Sequence, residues 1–484
     1  MAAFSKHEGM VGIIPIPLTE QGWKLWSSLS ILLRGTKNVR PAVVVGKDLP
    51  QKQLVEQWYA EGVQIFMLDE DVFLTNKKGF PVLSRPHQKL FTRFLRWTDC
   101  TIIITGEPTK SKQYSQYLRH LRGTVPQLTE TECEEKPFWD TLQTPLQPLS
   151  HNLEYATYET FESDPVKYIG YEKAIIQALI DLDKKSVTTG DATKGNDKKE
   201  EFVVMVLGAG RGPLVSCAMN ATKQTGIKIK LYAVEKNPHA VIILKNKNKT
   251  EWDNKVTIVQ KDMRIWKYPE QAHIIVSELL GSFGDNELSP ECLDGGQRVL
   301  RKDGISIPYS YSSYLCPITN NSIYSRLNNK PSDFETPYVI HLMRHCRLSK
   351  DIKKCWDFTH PNFKDKLMDN NSHNARYCKL TFKIDQATNN GSIIHGFAGY
   401  FDTVLYKGVD LSIHPETFSK EMFSWFPYYF PLHEPIKVKN GDNVTIHLWR
   451  KTEKKCVWYE WCLTEPILTQ IHNPCHRSYS VDLQ

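Results

Sequence analysis

The hydrophobic pattern of this chain changes type at about Pro308. Before that residue, short runs of β-branched residues alternate with amphipathic helical stretches, which is typical of βα units that build a parallel sheet. After it, apolar and polar residues alternate with a period of two, which is typical of an antiparallel sheet with one buried face. No internal repeat of fixed period appears. The sequence therefore predicts an α/β plus β protein.

Residues 1–130 are predicted to form part of a barrel. The β-branched runs in this part lie at 41–46, 63–68 and 100–106, with an earlier candidate at 12–16. The helical candidates between them lie at 51–61, 86–97 and 110–121. Eight such units close a TIM-type barrel over about 200–250 residues. Because only three or four units fit here, we expect an incomplete N-terminal TIM-type α/β barrel.

Two polar segments divide the middle of the chain. Residues 131–155 belong to a stretch rich in Pro, Thr and Glu and predict a linker. Residues 183–201, with the sequence DKKSVTTGDATKGNDKKEE, are almost free of apolar side chains. This second segment predicts a disordered surface loop inside the domain that follows the linker.

Two further domains are predicted after the linker. Residues 156–308 contain a helical stretch at 164–182 and strand candidates at 202–207, 229–234, 256–259 and 273–276. This order predicts a Rossmann-like α/β domain. Residues 309–484 contain the period-two segments, of which the clearest lie at 377–384, 393–401, 436–449 and 456–463. They predict an antiparallel β-barrel domain.

The composition excludes several classes of protein. Hydrophobic residues make up 40% of the chain and charged residues 24%, which is typical of a globular protein and not of a disordered, collagen-like or coiled-coil chain. The net charge of +7 is mild for 484 residues and does not indicate direct nucleic-acid binding. No apolar run reaches the ~18–20 residues of a membrane helix, so no membrane contact is expected. Eleven scattered cysteines without a CxxC pair argue against a metal site and favour reduced thiols in the cytoplasm or nucleus.

The first candidate site follows the strand candidate at 202–207. The sequence VVMVLGAGRGPL at 203–214 runs from a buried strand through Gly208 and Gly210 to Pro213, which suits the first position of a helix. Glycines allow the backbone to turn sharply and to approach a ligand closely. Such a turn alone also occurs in other α/β proteins, so it does not by itself identify a ligand.

Acidic residues at the ends of the next strands make an adenosyl pocket more specific. Glu235 ends the second strand candidate, where a carboxylate can accept hydrogen bonds from both hydroxyls of a ribose. Asp262 and Met263 follow the third, where they can contact the edge and face of an adenine ring. Dinucleotides and S-adenosylmethionine both contain adenosine. The spacing G-x-G-x-G-P favours S-adenosylmethionine, because dinucleotide sites prefer G-x-G-x-x-G.

The loop after the fourth strand candidate carries two acids. The sequence SELLGSFGDNELSPE at 277–291 places Glu278 and Glu287 at the two ends of a Gly-rich segment. We interpret this segment as a compact hairpin that returns both carboxylates to one site. Two adjacent carboxylates repel each other, and a cation between them removes the repulsion. A planar guanidinium is the cation whose geometry matches carboxylates bidentately.

These motifs resemble the protein arginine N-methyltransferase 5 family, whose members are symmetric (type II) arginine methyltransferases. The resemblance is carried by SELLGSFGDNELSPE at 277–291, LGAGRGPL at 207–214, YAVEKNP at 232–238, YETFESDPVKY at 158–168 and FSWFP at 423–427. It extends from about residue 40 to the C-terminus. Of the family's N-terminal barrel, only the second half is recognised, from roughly Arg40.

The resemblance implies a role for each site residue. Glu278 and Glu287 would clamp the substrate guanidinium as the catalytic pair. The residues that would bind S-adenosylmethionine are Tyr158, Lys167, Tyr168, Gly208, Gly210, Glu235, Asp262 and Met263, with Lys167 paired to the carboxylate of the cofactor. Phe161 would be the specificity residue, since asymmetric enzymes carry Met there and Phe would shape the pocket so that the second methyl group goes to the other terminal nitrogen. Trp425, between Ser424 and Phe426, would form a wall of the arginine channel. Without the resemblance, Tyr158, Lys167 and Tyr168 would be interpreted as an ordinary helix face, and Trp425 as a core residue.

The resemblance also implies substrates and partners. The expected substrates are Gly/Arg-rich RNA-binding proteins, such as the Sm-type proteins of spliceosomal assembly, and the histone tails of chromatin. A homo-oligomer is expected, and a WD-repeat partner would dock on the barrel, of which an incomplete barrel offers only part. The expected location is the cytoplasm and the nucleus. An asymmetric (type I) arginine methyltransferase and a catalytically weak scaffold of a methylation complex remain as alternatives.

Overall fold

The computed structural model describes residues 12–33, 39–97, 99–106, 110–188, 201–327, 330–363, 367–368 and 370–484. Within these ranges, no helix is both long enough and apolar enough to cross a bilayer. The predicted α/β plus β fold class is confirmed, with an N-terminal α/β unit, a Rossmann-like unit and a C-terminal antiparallel unit following one another along the chain.

The N-terminal unit is an open sheet with helices between its strands. Its sheet is parallel with the order β1-β2-β3-β6, as expected for part of a TIM-type barrel. The elements are β1 (Gly12–Pro17), α1 (Glu20–Leu32), β2 (Val39–Val45), α2 (Lys52–Ala60), β3 (Ile65–Asp69), β4 (Leu74–Thr75), β5 (Pro81–Val82), α3 (Arg85–Trp97), β6 (Thr101–Thr105) and α4 (Ser111–Gly123).

The segment predicted as a linker contains a helix, α5 (Glu130–Glu135). Thr129 and Glu132 form a capping box at its start, with reciprocal hydrogen bonds of 3.2 and 2.7 Å. Further along, the carboxylate of Asp140 accepts from the backbone N–H groups of Met343 and Arg344 in the C-terminal unit. The connection is therefore ordered and attached to its neighbours, which its polar composition does not predict.

The Rossmann-like unit is a five-stranded parallel sheet with the order β11-β10-β7-β8-β9. All six residues of its central strand are buried, as expected for a parallel strand covered on both faces. Its elements are α6 (Tyr155–Glu162), α7 (Pro165–Thr188), β7 (Phe202–Leu207), α8 (Pro213–Thr225), β8 (Ile229–Glu235), α9 (Pro238–Thr250), β9 (Val256–Gln260), β10 (Ala272–Val276), α10 (Ser289–Gly296) and β11 (Leu300–Ile307).

The prediction of a disordered loop at 183–201 is wrong at its N-terminal end. Helix α7 continues to Thr188. Charged side chains are good helix formers, and Lys185 forms an ion pair with Asp303. Low hydrophobicity in this segment therefore reflects an exposed helix end and not a loop. Residues 189–200 of the predicted loop lie outside the described residues.

The C-terminal unit is built from antiparallel strands in two sheets. The larger follows the order β13-β19-β17-β12-β14, with β15 on β12 and β18 on β17, and the smaller follows β16-β20-β21-β22. The elements are β12 (Ser310–Thr319), α11 (Asn321–Tyr324), β13 (Tyr338–Val339), β14 (Cys346–Arg347), β15 (Lys353–Thr359), β16 (Arg376–Lys383), β17 (Ser392–Tyr406), β18 (Val409–Ser412), β19 (Tyr428–Val438), β20 (Asn443–Thr452), β21 (Cys456–Glu465) and β22 (Val481–Asp482).

The units share buried surface. One continuous cluster of buried apolar side chains includes Val206 of β7, Phe283 of the loop after β10 and Tyr428 of β19. On the other side, Glu61 after α2 is buried and accepts hydrogen bonds from Trp23 and Trp26 of its own unit and from Asn321 of α11. The C-terminal unit therefore packs against both other units and lies against the Rossmann-like sheet where the site is found.

Candidate active site

The candidate site lies where the strand order of the Rossmann-like sheet reverses. The chain passes from β7 to β8 and β9 on one side, and then to β10 and β11 on the other. At such a switch point, the loops that leave the carboxyl ends of the two central strands diverge and open a crevice. A cavity of about 750 Å³ occupies this place. Of the predicted site residues, all but Tyr168 line it.

The glycine turn after β7 forms the floor of this cavity. Gly208 and Gly210 have φ angles of 72° and 52°, a left-handed conformation that glycine adopts most easily. A Cβ atom on Gly208 would lie 3.1 Å from Cδ2 of Leu279, and one on Gly210 would lie 3.1 Å from Cε1 of Tyr158. Side chains here would therefore crowd the walls of the cavity.

Glu235 ends β8 and is fixed beside the glycine turn. Its Oε2 accepts a hydrogen bond of 2.8 Å from Gly210 N, and its Oε1 accepts one of 2.7 Å from Asn237 N. Burial raises the pKa of the Glu235 carboxyl, although these two backbone N–H groups oppose the rise. A carboxylate has about four acceptor positions, so acceptor capacity remains for donors of a ligand.

Asp262 lines the cavity together with Met263, but its carboxylate already has a partner. The guanidinium of Arg264 forms an ion pair with this carboxylate, with Nη2 at 2.7 Å from Oδ2. The backbone N of Arg264 also donates to Oδ1, at 2.9 Å. Burial would raise the pKa of Asp262, but the hydrogen bonds from Arg264 lower it below its usual range. Asp262 therefore stays ionised, with part of its acceptor capacity used inside the protein.

Tyr158 closes the cavity from α6. Its hydroxyl accepts a hydrogen bond of 3.2 Å from Nδ2 of Asn237, the residue whose backbone holds Glu235. Burial and the negative charge of Glu235 raise the pKa of Tyr158 to about 12. This hydroxyl is therefore neutral at physiological pH, and its aromatic ring contacts the glycine turn.

The loop after β10 is the compact hairpin expected from its sequence. Gly281 and Gly284 pair through two backbone hydrogen bonds of 3.2 and 2.7 Å, and Phe283 N donates to Oδ1 of Asn286 at 2.7 Å. The chain thereby reverses direction between Glu278 and Glu287. Both of these acids line the same cavity.

The two acids differ in their surroundings. Oε1 of Glu278 accepts a hydrogen bond of 3.1 Å from Leu280 N, and Oε2 lies 3.3 Å from Nζ of Lys167. Glu287 is half-buried and lines the cavity. Burial and the charge of Glu278 raise its pKa to about 8, with Lys167 acting in the opposite direction. The site therefore holds one carboxylate with a cationic partner and one that a second cation would stabilise.

Lys167 lies among three aromatic rings. Its Nζ is 4.9 Å from the ring centre of Tyr168, 5.1 Å from that of Trp425 and 5.5 Å from that of Phe161. Cations interact favourably with aromatic faces at such distances. Tyr168, the predicted residue that does not line the cavity, thus reaches the site through Lys167.

The segment that carries Ser424 and Trp425 is attached to the start of α7. Oδ2 of Asp164 accepts from the backbone N–H groups of Phe423 and Ser424 at 2.9 and 2.8 Å, and from the Ser424 hydroxyl at 2.7 Å. The indole Nε1 of Trp425 donates to the carbonyl of Leu280 at 2.8 Å. These bonds join residues of the C-terminal unit to Lys167's helix and to the hairpin loop.

Phe426 lies at the rim of the cavity. Its ring centre is 4.6 Å from that of His341 and 6.1 Å from that of Phe138. Burial lowers the pKa of His341 to about 4, so this imidazole is neutral at physiological pH. The rim is therefore aromatic and carries no cation at His341.

Sequence reasoning missed Asp164, Glu162 and Arg211. The last two line the cavity and form an ion pair of 3.1 Å. Asp164 precedes Pro165 at the start of α7, and an Asp followed by Pro is a recognisable helix start. Its bonds to Ser424, 260 residues away in sequence, have no local signal.

Three family models match the chain. They are described as PRMT5 TIM barrel domain, at residues 6–124, PRMT5 arginine-N-methyltransferase, at residues 129–307, and PRMT5 oligomerisation domain, at residues 310–481. The expectation that the resemblance begins only near Arg40 is therefore wrong, because the barrel model already matches from residue 6. β-Branched runs vary in sequence while keeping their pattern, so the first strand is harder to recognise than a catalytic motif.

Curated relatives support the same assignment. Protein arginine N-methyltransferase 5 of Xenopus laevis is 44% identical over 502 residues, which cover 100% of this chain and 76% of that protein. Protein arginine N-methyltransferase skb1 of Schizosaccharomyces pombe is 39% identical, and the match covers 95% of this chain and 75% of that protein. A solved structure, the Trypanosoma brucei PRMT1 enzyme-prozyme heterotetrameric complex with AdoHcy, resembles the fold with a TM-score of 0.52 at 15% identity, over 68% of this chain and 99% of that one.

The models and the relatives agree with the motifs on which the resemblance rested, and they cover most of the chain. The chain belongs to the protein arginine N-methyltransferase 5 family of arginine N-methyltransferases.

Proposed function

We propose that this chain transfers methyl groups from S-adenosylmethionine to protein arginine and makes monomethylarginine and symmetric dimethylarginine, as a type II enzyme. The observation that carries the proposal is the cavity at the switch point of the sheet. It joins Glu235 and the glycine turn on one side with Glu278 and Glu287 on the other. One side suits an adenosyl group, and the other suits a guanidinium.

The chain's residues fit S-adenosylmethionine. Glu235 would accept from the ribose hydroxyls with its remaining acceptor capacity. Met263 would pack on the adenine, Asp262 would lie at its edge, and Tyr158 would cover the glycine turn. The cation of Lys167, on the cavity wall, would pair with the carboxylate of the cofactor. When bound, S-adenosylmethionine supplies an activated methyl group on a sulfonium.

Glu278 and Glu287 would act on the substrate. With a pKa above about 12, a guanidinium is a poor nucleophile. Two carboxylates on one side of it would draw its positive charge away from the attacking nitrogen and fix the direction of that nitrogen. In-line displacement then needs orientation and electrostatics more than a strong base. Trp425, held by Leu280 and facing the cavity, would stack on the guanidinium plane.

The substrate class, assembly and location belong to the same proposal. We infer Gly/Arg-rich RNA-binding proteins and histone tails as substrates, which would place the chain in the cytoplasm and the nucleus. A net charge of +7 repels such basic partners weakly, so recognition must rest on local acids. The match of residues 310–481 to an oligomerisation domain supports a homo-oligomer. A WD-repeat partner would dock on the barrel unit at residues 6–124, of which an incomplete barrel offers only part.

Product analysis tests the reaction. The chain is incubated with a histone-tail peptide and S-adenosylmethionine, and the methylated peptide is analysed by mass spectrometry. Symmetric dimethylarginine supports the proposal. Asymmetric dimethylarginine would assign the chain to the type I reaction, and a lack of any product would favour a scaffold.

Glu287→Gln tests the division of roles within the cavity. Removing one preorganised charge from such a site typically lowers kcat by about 10²–10³-fold. Calorimetry should show unchanged affinity for S-adenosylmethionine, because Glu287 lies on the guanidinium side. Loss of cofactor binding in this variant would mean that the two halves of the cavity have been assigned wrongly.

A further inference from the structure

Arg450 of β20 lies between two acids that flank Glu287 in sequence. Its side chain is fully buried. Nε lies 2.5 Å from Oδ2 of Asp285, while Nη1 and Nη2 lie 2.8 and 2.9 Å from the two carboxylate oxygens of Glu291. Asp285 precedes Glu287 by two residues, and Glu291 follows it by four. One side chain of the C-terminal unit therefore holds the hairpin on both sides of Glu287.

Asp285 is held by further side chains of the same unit. Its Oδ2 also accepts from the hydroxyl of Tyr459 at 2.7 Å, and its Oδ1 accepts from Nε1 of Trp356 at 3.0 Å and from the hydroxyl of Ser313 at 3.1 Å. These donors come from three different strands. Because four side chains converge on a single carboxylate, the position of Asp285 is determined by the C-terminal unit.

The hairpin needs such support. Leu288, directly after Glu287, has a φ angle of 67°. A left-handed backbone is unfavourable for a residue with a side chain, so it persists only where the surroundings impose it. Leu288 is flanked by Asp285, whose carbonyl accepts from Leu288 N at 3.3 Å, and by Glu291 in the first turn of α10. Both are bound to Arg450.

Stability alone is a weak explanation for this network. Two carboxylates and one guanidinium leave a buried net negative charge, and apolar packing often replaces buried ion pairs without loss of stability. What apolar packing does not supply is the fixed direction of a bidentate guanidinium. The network determines where the backbone of Glu287 lies relative to Glu278. Glu278 stands at the start of the hairpin, just after β10, and Glu287 stands at its other end.

We propose that Arg450 is a positioning residue that directs Glu287 into the cavity, so that the C-terminal unit sets the geometry of the guanidinium clamp. Arg450 does not touch the substrate. The proposal rests on the proposed role of Glu287 as one half of the clamp.

Arg450→Lys tests this inference in the full chain. Lysine keeps the buried charge but has no fork to bridge Asp285 and Glu291. The number of cofactor sites is counted by calorimetry, and kcat is expressed per site. We expect this kcat to fall about 10–100-fold, because a misplaced catalytic group loses activity to that extent. The Kd of S-adenosylmethionine should stay unchanged, because Glu235 and the glycine turn lie on other strands. Reduced folding would lower the number of sites but not kcat per site.

Two further variants complete the experiment. Arg477→Lys is the control for an Arg→Lys change at an ion pair of the same unit, because half-exposed Arg477 pairs with buried Glu335 through Nε at 2.8 Å, away from the hairpin. Its kcat per site should stay at the wild-type value. Tyr459→Phe removes one hydroxyl from Asp285 and keeps the ring, and it carries the test if Arg450→Lys does not fold. We expect it to lower kcat several-fold at unchanged cofactor affinity.

The outcomes separate this inference from the proposed function. A normal kcat per site in Arg450→Lys overturns the positioning role. If Arg450→Lys does not fold, a normal kcat per site in Tyr459→Phe overturns it instead. An equal loss in Arg477→Lys overturns it as well. An inactive wild-type chain, or a fully active Glu287→Gln, would instead overturn the proposed function.

Discussion

The ammonium nitrogen of Lys167 lies 3.3 Å from Oε2 of Glu278, and Lys167 as a whole is only 1% exposed. One of the two acids of the hairpin is thus neutralised from within the protein, by the first turns of α7. With Glu287 ionised as well, the group of three side chains carries one net negative charge. Burial and the charge of Glu278 raise the pKa of Glu287, and a guanidinium is a cation that would oppose this rise.

We expect Lys167→Met to weaken binding of S-adenosylmethionine about ten- to hundredfold, because a charge-assisted hydrogen bond contributes roughly 1.5–3 kcal/mol. Isothermal titration calorimetry measures the effect. The control is Lys185→Met on the same helix, whose ion pair with Asp303 is half exposed at 3.0 Å and should contribute little. Equal cofactor affinity in both variants would contradict a role of Lys167 in binding the cofactor carboxylate.

The raised pKa of Glu287 predicts a pH dependence. The clamp needs the ionised carboxylate, and the pKa of about 8 belongs to the protein without substrate. The value of kcat/KM should therefore rise as the pH increases through about 8, and should fall about tenfold per pH unit well below it. The corresponding rise of kcat with pH should lie at lower pH, since the bound guanidinium favours the ionised form of Glu287.

The measurement needs a peptide with a blocked N-terminus and without His or Lys, so that the peptide itself does not titrate near pH 8. Lys167→Met supplies an internal check, because Lys167 lowers the pKa of Glu287. In this variant, the rise of kcat/KM with pH should move to higher pH. A profile that is flat across neutral pH in the wild-type chain would show that Glu287 is already ionised there.

Glu235 and Asp262 are expected to differ in importance. Glu235→Gln removes the charge that would hold the ribose, and cofactor affinity should fall about tenfold or more. Asp262→Asn should have a smaller effect on cofactor affinity, since the carboxylate of Asp262 is already paired with Arg264. Fluorescence or calorimetric titration with S-adenosylmethionine gives both values. A larger loss in Asp262→Asn would show that Asp262 is the main polar anchor of the adenosyl group.

Phe161→Met is expected to change the product. The ring of Phe161 lines the cavity and faces Lys167, so its replacement by a flexible side chain changes the shape of the guanidinium side. We expect asymmetric dimethylarginine to appear beside the symmetric form in mass spectra of the peptide. Phe138→Met, at the rim, is the control and should keep the wild-type pattern. A purely symmetric product from Phe161→Met would remove Phe161 as the specificity residue.

Much of the fold follows from local patterns. The strand predicted at 202–207 is β7, and the others in the Rossmann-like unit differ from β8, β9 and β10 by one residue at an end. Buried parallel strands have continuous apolar runs, and a sharp turn with a left-handed backbone favours glycine, so both leave clear local signals. The helix end at Thr188 leaves none, because exposed charged helices and loops have similar compositions.

The sequence by itself determined which residues are the candidates for the proposed chemistry. Glu278 and Glu287 stand at the ends of one short hairpin, and Glu235 stands at the end of the strand beside the glycine turn, so their neighbourhood follows from chain connectivity. Only the tertiary structure decided how these residues are held. Lys167 meets Glu278 across 111 residues, Asp164 meets Ser424 across 260, and Arg450 meets Asp285 across 165. Such pairs form because the packing of the units brings the partners together. No local pattern in the sequence predicts these contacts.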